Sequence, residues 1–263
     1  MIAALPQTEA VALFNRFFGV DARAQAAVWD RLAWEQAAWR LRQLDRRLAS
    51  DFVTKVSLAG VLLRLGRRAE AEDALSAAHA LRRRELVPAQ SLLAILFATL
   101  GRMGEARQVL DEIVADPALR VQAPAVNNAA HLAFLTGDVA FLTKLARLSE
   151  GHADCHVPLI LLDVIEASGL ADQLKGHQDI VRAVIRPAQC WIDINIIDDG
   201  DWPPMIAMLS FVQADPKARR RLERDLVDRL ADFYEASGKP PGIYIPYFGT
   251  HLISLPECEA AAL

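Results

Sequence analysis

Cysteine is scarce in this chain of 263 residues: Cys155, Cys190 and Cys258 are three in number and far apart. An odd, dispersed set excludes a disulfide framework and favours a reducing compartment. Long apolar runs are also missing. The best stretch, 157–165, is short and contains Asp163, so no membrane-spanning helix is expected. The N-terminus, Met1-Ile2-Ala3-Ala4-Leu5-Pro6, lacks the basic and apolar regions of a signal peptide. These absences predict a soluble, cytoplasmic protein with no membrane partner. The sequence has no phosphate-cradling Gly-rich loop, dinucleotide fingerprint, nucleophile elbow or His-Glu-x-x-His helix. That counts against the common enzyme classes, and no cofactor is expected.

What is present is globular. Apolar residues make up 53% and charged residues 24%, enough to bury one large core or two small ones. The net charge of −4 does not suggest a nucleic-acid binder. The charge is unevenly placed. Residues 1–150 hold 19 Lys+Arg against 16 Asp+Glu, whereas 151–263 hold 10 against 17. Such asymmetry can orient a partner, or simply mark two different surfaces.

The dominant signal is a repeat. Leu65-Gly66-Arg67-Arg68-Ala69-Glu70-Ala71 aligns without a gap on Leu100-Gly101-Arg102-Met103-Gly104-Glu105-Ala106, 35 residues later. Leu58, Ala59 and Leu62 map onto Leu93, Ala94 and Phe97; Leu75 and Ala78 map onto Leu110 and Ile113. A fixed period in the 30s marks stacked helical hairpins. Asp51 is placed to cap a helix over 52–65, Gly66 to end it, and a second helix follows over 69–81. The next unit has Pro88 at a helix start, Gly101 at the turn and a helix over 104–115. A third copy runs from Pro124 through Leu135, with Gly137 at the turn and Asp138 capping a helix to about Ser149. Its large positions have become Ala129, Ala130 and Ala133, while Leu142 replaces a small residue.

This order of leucine, small residue, large apolar residue, turn glycine and alanine resembles the tetratricopeptide repeat over residues 51–149. Two marks of that family are absent. Lys55 and Gln90 stand where an early aromatic is usual, and the closing proline is displaced, Pro117 being nearest. Other helical-hairpin families remain open.

Around the repeats, Thr8 caps a short helix ending near Gly19, and Asp21 opens a helical stretch to about Leu48. That stretch is either one helix or a hairpin turning near Asp30. Val28, Leu32, Trp39, Leu41 and Leu44 form its apolar stripe, and Trp29, Trp34 and Trp39 recur at a spacing that does not keep one face. Residues 154–186 continue helical, with Gly169 at a break. Beyond Pro187 the pattern changes. Residues 190–197 and 205–212 read as strands, a helix opens at Asp215-Pro216 with the stripe Leu222, Leu226, Leu230 and Phe233, and a third strand follows near 243–255. The expected fold class is therefore mostly α: a tetratricopeptide-like α-solenoid over 1–186, then a small α+β domain over 187–263 whose sheet packs on its own amphipathic helix.

Several clusters carry possible chemistry. Asp193, Asp198, Asp199 and Asp201 gather around a glycine and suit a hard cation or an amino or sugar group, though the spacing is not that of an EF-hand and equally suits a plain turn. His152, Cys155 and His156 are zinc-type donors without a second cluster, so no metal site is expected. Tyr244, Tyr247 and His251, with Trp191 and Trp202, suit ligand recognition or core packing. The runs Arg82-Arg83-Arg84 and Arg219-Arg220-Arg221 have acidic neighbours and read as solvated helix faces.

The first functional expectation is a non-enzymatic interaction or adaptor protein. The resemblance implies a groove lined by the first helices of the hairpins, gripping a partner's peptide or helix. Lys55, Gln90, Asn127, Asn128 and His131 are the candidate contacts; Asn side chains clamp a peptide backbone because each offers a donor and an acceptor. The alternative is an enzyme or small-molecule binder using Asp193, Asp198, Asp199, Asp201, Tyr244 and His251, with the array recruiting a protein substrate. Nucleic acid is not expected as a partner, and homo-oligomerisation is left open.

Overall fold

The computed structural model describes residues 6–18, 31–82, 87–115, 123–150, 156–167, 169–185, 189–197, 205–212, 214–238 and 244–250. Among these are eleven helices: α1 (Pro6–Phe18), α2 (Arg31–Arg47), α3 (Phe52–Arg64), α4 (Arg68–Ala80), α5 (Val87–Thr99), α6 (Met103–Ala115), α7 (Ala123–Thr136), α8 (Val139–Ser149), α9 (Val157–Ala167), α10 (Leu174–Ile185) and α11 (Pro216–Ser237). Three strands accompany them: β1 (Gln189–Ile197), β2 (Met205–Val212) and β3 (Tyr244–Thr250).

The hairpins start and stop where local chemistry requires. Asp51 caps α3 by accepting from the Thr54 amide at 2.8 Å and its hydroxyl at 2.6 Å. Asp138 caps α8 by accepting from the Phe141 amide at 2.9 Å. The turns are copies of one another. After α3, the amides of Gly66 and Arg67 donate to the carbonyls of Leu63 and Leu62; after α5, those of Gly101 and Arg102 donate to Ala98 and Phe97; after α7, those of Gly137 and Asp138 donate to Phe134 and Ala133. The pair recurs after α9, where Gly169 and Leu170 donate to Glu166 and Ile165. Each is a Schellman closure, which needs a left-handed residue, and these glycines have φ of 73°, 79°, 70° and 66°.

The hairpins then stack. α3 packs on α4, α5 on α6 and α7 on α8, while the first helices α1, α3, α5, α7 and α9 lie each against the next. Ala59, Ala71, Ala94 and Ala106 are buried where paired helices approach, and Leu62 and Phe97 are buried between them. In the third hairpin the sizes invert, and Ala129, Ala130, Ala133 and Leu142 are all buried. Because α3 and α5 are covered on several sides, they are apolar nearly all round.

Cross-hairpin ion pairs join the second helices. Arg42 of α2 meets Glu70 of α4 at 2.7 Å, Arg82 meets Glu112 of α6 at 2.8 Å, and Arg107 of α6 meets Asp138 at 2.6 Å. All are partly solvated, so each contributes about 0–1 kcal/mol; they bias register more than they hold the fold.

The apolar stripe expected on α2 is corrected. Ala33, Trp34, Ala37, Ala38, Leu41 and Leu44 are the buried residues, whereas Leu32 and Trp39 are 63% and 62% exposed. Small alanines bring α2 close to its neighbours, and the single indole of Trp34 fills the space beside Phe17 and Phe18, with ring centroids 4.6 and 5.8 Å away. Val28 and Trp29 lie outside the described residues.

The expected C-terminal α+β domain is also corrected: the fold is mostly α, and among the described residues the strands and α11 pack chiefly on array helices. β1 and β2 pair antiparallel and β3 joins β2 in parallel, in the order β1-β2-β3. However, α11 packs on α10, β1 lies against α3 and α5, and β2 lies against α9. The stripe on α11 packs on the array helix α10 instead. Leu226 and Leu230 are buried there, and Gly176 on α10 leaves room for the Phe233 ring, which a Cβ would meet at 2.8 Å. α10 in turn seats on the α7–α8 turn. A Cβ on Gly137 would lie 2.3 Å from the Lys175 Cα, so this glycine is required both by its φ of +70° and by a neighbouring backbone.

Candidate functional site

The row of first helices is the surface where the sequence-derived contacts belong. The repeat register places Asn127 of α7 at the position of Ser91 in α5 and Val56 in α3; His131 corresponds to Ile95 and Gly60. Asn127 and His131 are four residues apart, hence on one helix face, and Asn128 lies beside them. All three are half-buried.

The other two candidates are placed differently. Lys55 donates to Asp45 at 2.7 Å, tying α3 to α2. Gln90 is only 2% exposed. The five residues therefore do not form one continuous contact line. Strand backbone lies against α3, α5 and α9, and the remaining three candidates sit together on α7.

The position of α7 is fixed through its hairpin partner. The Arg107 guanidinium stacks 3.5 Å from the centre of the Phe141 ring. It donates to Asp111 at 2.8 Å and to Asp138 at 2.6 Å. Burial works against the Arg107 charge, but the bonds to Asp138 and Asp111 outweigh it and raise the Arg107 pKa. Burial likewise works against ionised Asp138, yet the Phe141 amide and Arg107 outweigh it and hold the carboxyl below its ordinary range. The start of α8 is thus clamped by cap, ion pair and stacked ring together.

At the far end, Gly60 sits mid-helix in α3 because the Phe18 ring takes the space of a side chain; a Cβ there would meet it at 2.6 Å. A glycine inside a strong helix pattern was the available signal for this contact. The cross-hairpin ion pairs had no such signal, because each partner comes from a different unit.

Of the carboxylate–aromatic set, Asp193 lies in β1 opposite Leu209, and Tyr244 lies in β3 opposite Ile206. β2 stands between them. Asp198, Asp199, Asp201 and His251 lie outside the described residues, as do Trp202, His152 and Cys155. His156 is exposed just before α9. Among the described residues, no group of His, Cys, Asp and Glu side chains is arranged to hold a metal, and no helix is long and apolar enough to cross a membrane. Arg82 is engaged by Glu112, and Arg219 approaches Glu223 at 3.5 Å.

Among the described residues, His177 on α10 is the titratable group with the largest shift. Burial pushes it down to about 4, so it is neutral at pH 7. Its ring lies 5.9 Å from that of Tyr234; buried Gln178 is its neighbour on α10, and buried Gln173 lies just before the helix. It belongs to the α10–α11 packing.

No protein-family profile, no curated protein and no solved structure matches the chain.

Proposed function

We propose that this is a non-catalytic interaction protein. Its tetratricopeptide-like array holds an extended or helical segment of a partner protein against α7, through Asn127, Asn128 and His131. The observation that carries the reading is the half-buried amide–amide–imidazole set gathered on α7, within the row of first helices. Amides supply both a donor and an acceptor to a peptide backbone, and a neutral imidazole supplies one of each. A rigid row of stacked helices presents these groups without an ordering cost at the moment of binding.

The test is capture from an extract of the source cells with full-length protein and with an Asn127→Ala, Asn128→Ala, His131→Ala variant. The substitutions are at partly exposed positions, so the variant is expected to keep the wild-type circular dichroism spectrum. The reading requires a protein retained by the wild type and lost from the folded variant. Equal retention by both would overturn it.

A further inference from the structure

Helix α11 carries its charges in an order that opposes its own dipole. Its first part holds Lys217, Arg219, Arg220, Arg221 and Arg224 against Glu223; its second part holds Asp225, Asp228, Asp232 and Glu235 against Arg229. No acidic residue stands in the first turn and no basic residue in the last. Helix ends favour the reverse arrangement, anions at the N-terminus and cations at the C-terminus. A 22-residue helix spans about 33 Å, so these charges are well separated along a long exposed element.

The charges also segregate by face. One side of α11, centred on Leu226 and Leu230, is buried on α10. The opposite side, at helical spacing, presents Lys217, Arg220, Arg224, Val227, Asp228, Ala231 and Glu235, all exposed. Val227 is 64% exposed at the centre of this stripe. Arg219 and Arg229 are occupied within the helix by Glu223 and Asp225, at 3.5 and 2.9 Å. Among the described residues, Lys217, Arg220, Arg224, Asp228 and Glu235 have no ion-pair partner. The stripe is therefore basic at one end, apolar in the middle and acidic at the other, with its charges unspent.

We propose that this stripe is a homodimer contact, occupied by α11 of a second copy lying antiparallel across it. A twofold axis between Val227 and Asp228 sets Arg220 opposite the second copy's Glu235. It sets Arg224 opposite the second copy's Ala231, within reach of its Asp228 and Glu235. Val227 and Ala231 of both copies form the apolar centre. The pattern is complementary to itself under a twofold rotation, which an isologous contact requires and a surface for an unrelated acidic or basic partner does not. The antiparallel arrangement also sets the two helix dipoles against each other favourably; a parallel one would place like charges together.

Sedimentation velocity of the full-length protein tests this directly. The wild type is expected to dimerise at low salt and to weaken at least about tenfold at high salt, as paired exposed charges are screened. Two variants, Arg220→Glu with Arg224→Glu and Asp228→Arg with Glu235→Arg, are each expected to be monomeric, because each sets like charges opposite one another across the axis. Mixed in equal amounts, they are expected to form a one-to-one dimer. Val227→Glu leaves the charged residues in place and is expected to dissociate the dimer alone by setting like charges across the axis. A monomeric wild type at low salt, dimers persisting in both charge-reversed variants, or a mixture of folded variants that stays monomeric would overturn the proposal.

Discussion

Replacing Gly137 with alanine tests how α10 is seated on the array. Two penalties are expected. The backbone there has φ +70°, and holding a residue with a Cβ in the left-handed region costs about 1–2 kcal/mol. The new Cβ would also stand 2.3 Å from the Lys175 Cα and 2.6 Å from its nitrogen. Neither atom can rotate away, so α10 must shift, and overpacking of this kind costs about 1–3 kcal/mol. The sum is about 2–5 kcal/mol. Gly169→Ala is the matched control: its φ is +66°, it ends a helix by the same closure, and a Cβ there meets nothing within 4 Å. It carries the first penalty only, about 1–2 kcal/mol. Urea unfolding of both variants, followed by far-UV circular dichroism, gives the difference. The structure requires Gly137→Ala to be the worse by at least about 1 kcal/mol. Equal losses would refute the seating of α10 on the α7–α8 turn.

Phe97→Ala, which empties a fully buried site between helices, is expected to cost about 3–5 kcal/mol in the same assay, whereas Trp39→Ala on the exposed side of α2 is expected to stay within about 0.5 kcal/mol. Asp138→Ala removes both the α8 cap and the Arg107 pair and is expected to lose about 1–2 kcal/mol, while Asp138→Asn keeps a capping oxygen and loses about half as much or less. Because the Asp138 carboxyl is held below its ordinary value of 3.8, its contribution is complete above that pH and is lost as pH falls through the folded-state value. His177 acts in a higher window: its pKa falls from 6.5 in the unfolded chain to about 4 in the fold. The unfolded state therefore binds the extra proton, and stability is full above pH 6.5 and declines toward pH 4 by up to about 1.4 kcal/mol per unit. The urea midpoint measured against pH should show that decline in the wild type and lose it in His177→Phe.

The array was legible because its signals are local. Asp51, Gly66, Gly101, Gly137 and Asp138 act through bonds to residues a few positions away, so their roles follow from spacing alone. Gly60 and Trp39 show where that reasoning stops. Trp39 reads as a core residue by size, yet the close approach made by Ala33, Ala37 and Ala38 puts the helix's other face inside. The apolar stripe of α11 was equally plain, but a stripe does not name its partner: it sits on α10 rather than on the strands that precede and follow it. The candidate contacts divided for the same reason. Lys55 and Gln90 occupy one repeat position, and their fates depend on Asp45 in another hairpin and on packing around α5. Asn127, Asn128 and His131 are half-buried on α7.

Photo-crosslinking tests the central claim most directly. A photoreactive residue is introduced at His131 on α7 or at Asp73 on the exposed side of α4, and each protein is irradiated in an extract of the source cells. The account predicts a crosslinked partner from position 131 and none from position 73. A partner that crosslinks from position 73 and not from 131 would show that recognition uses the second helices, and the proposed role of the first-helix row would be wrong.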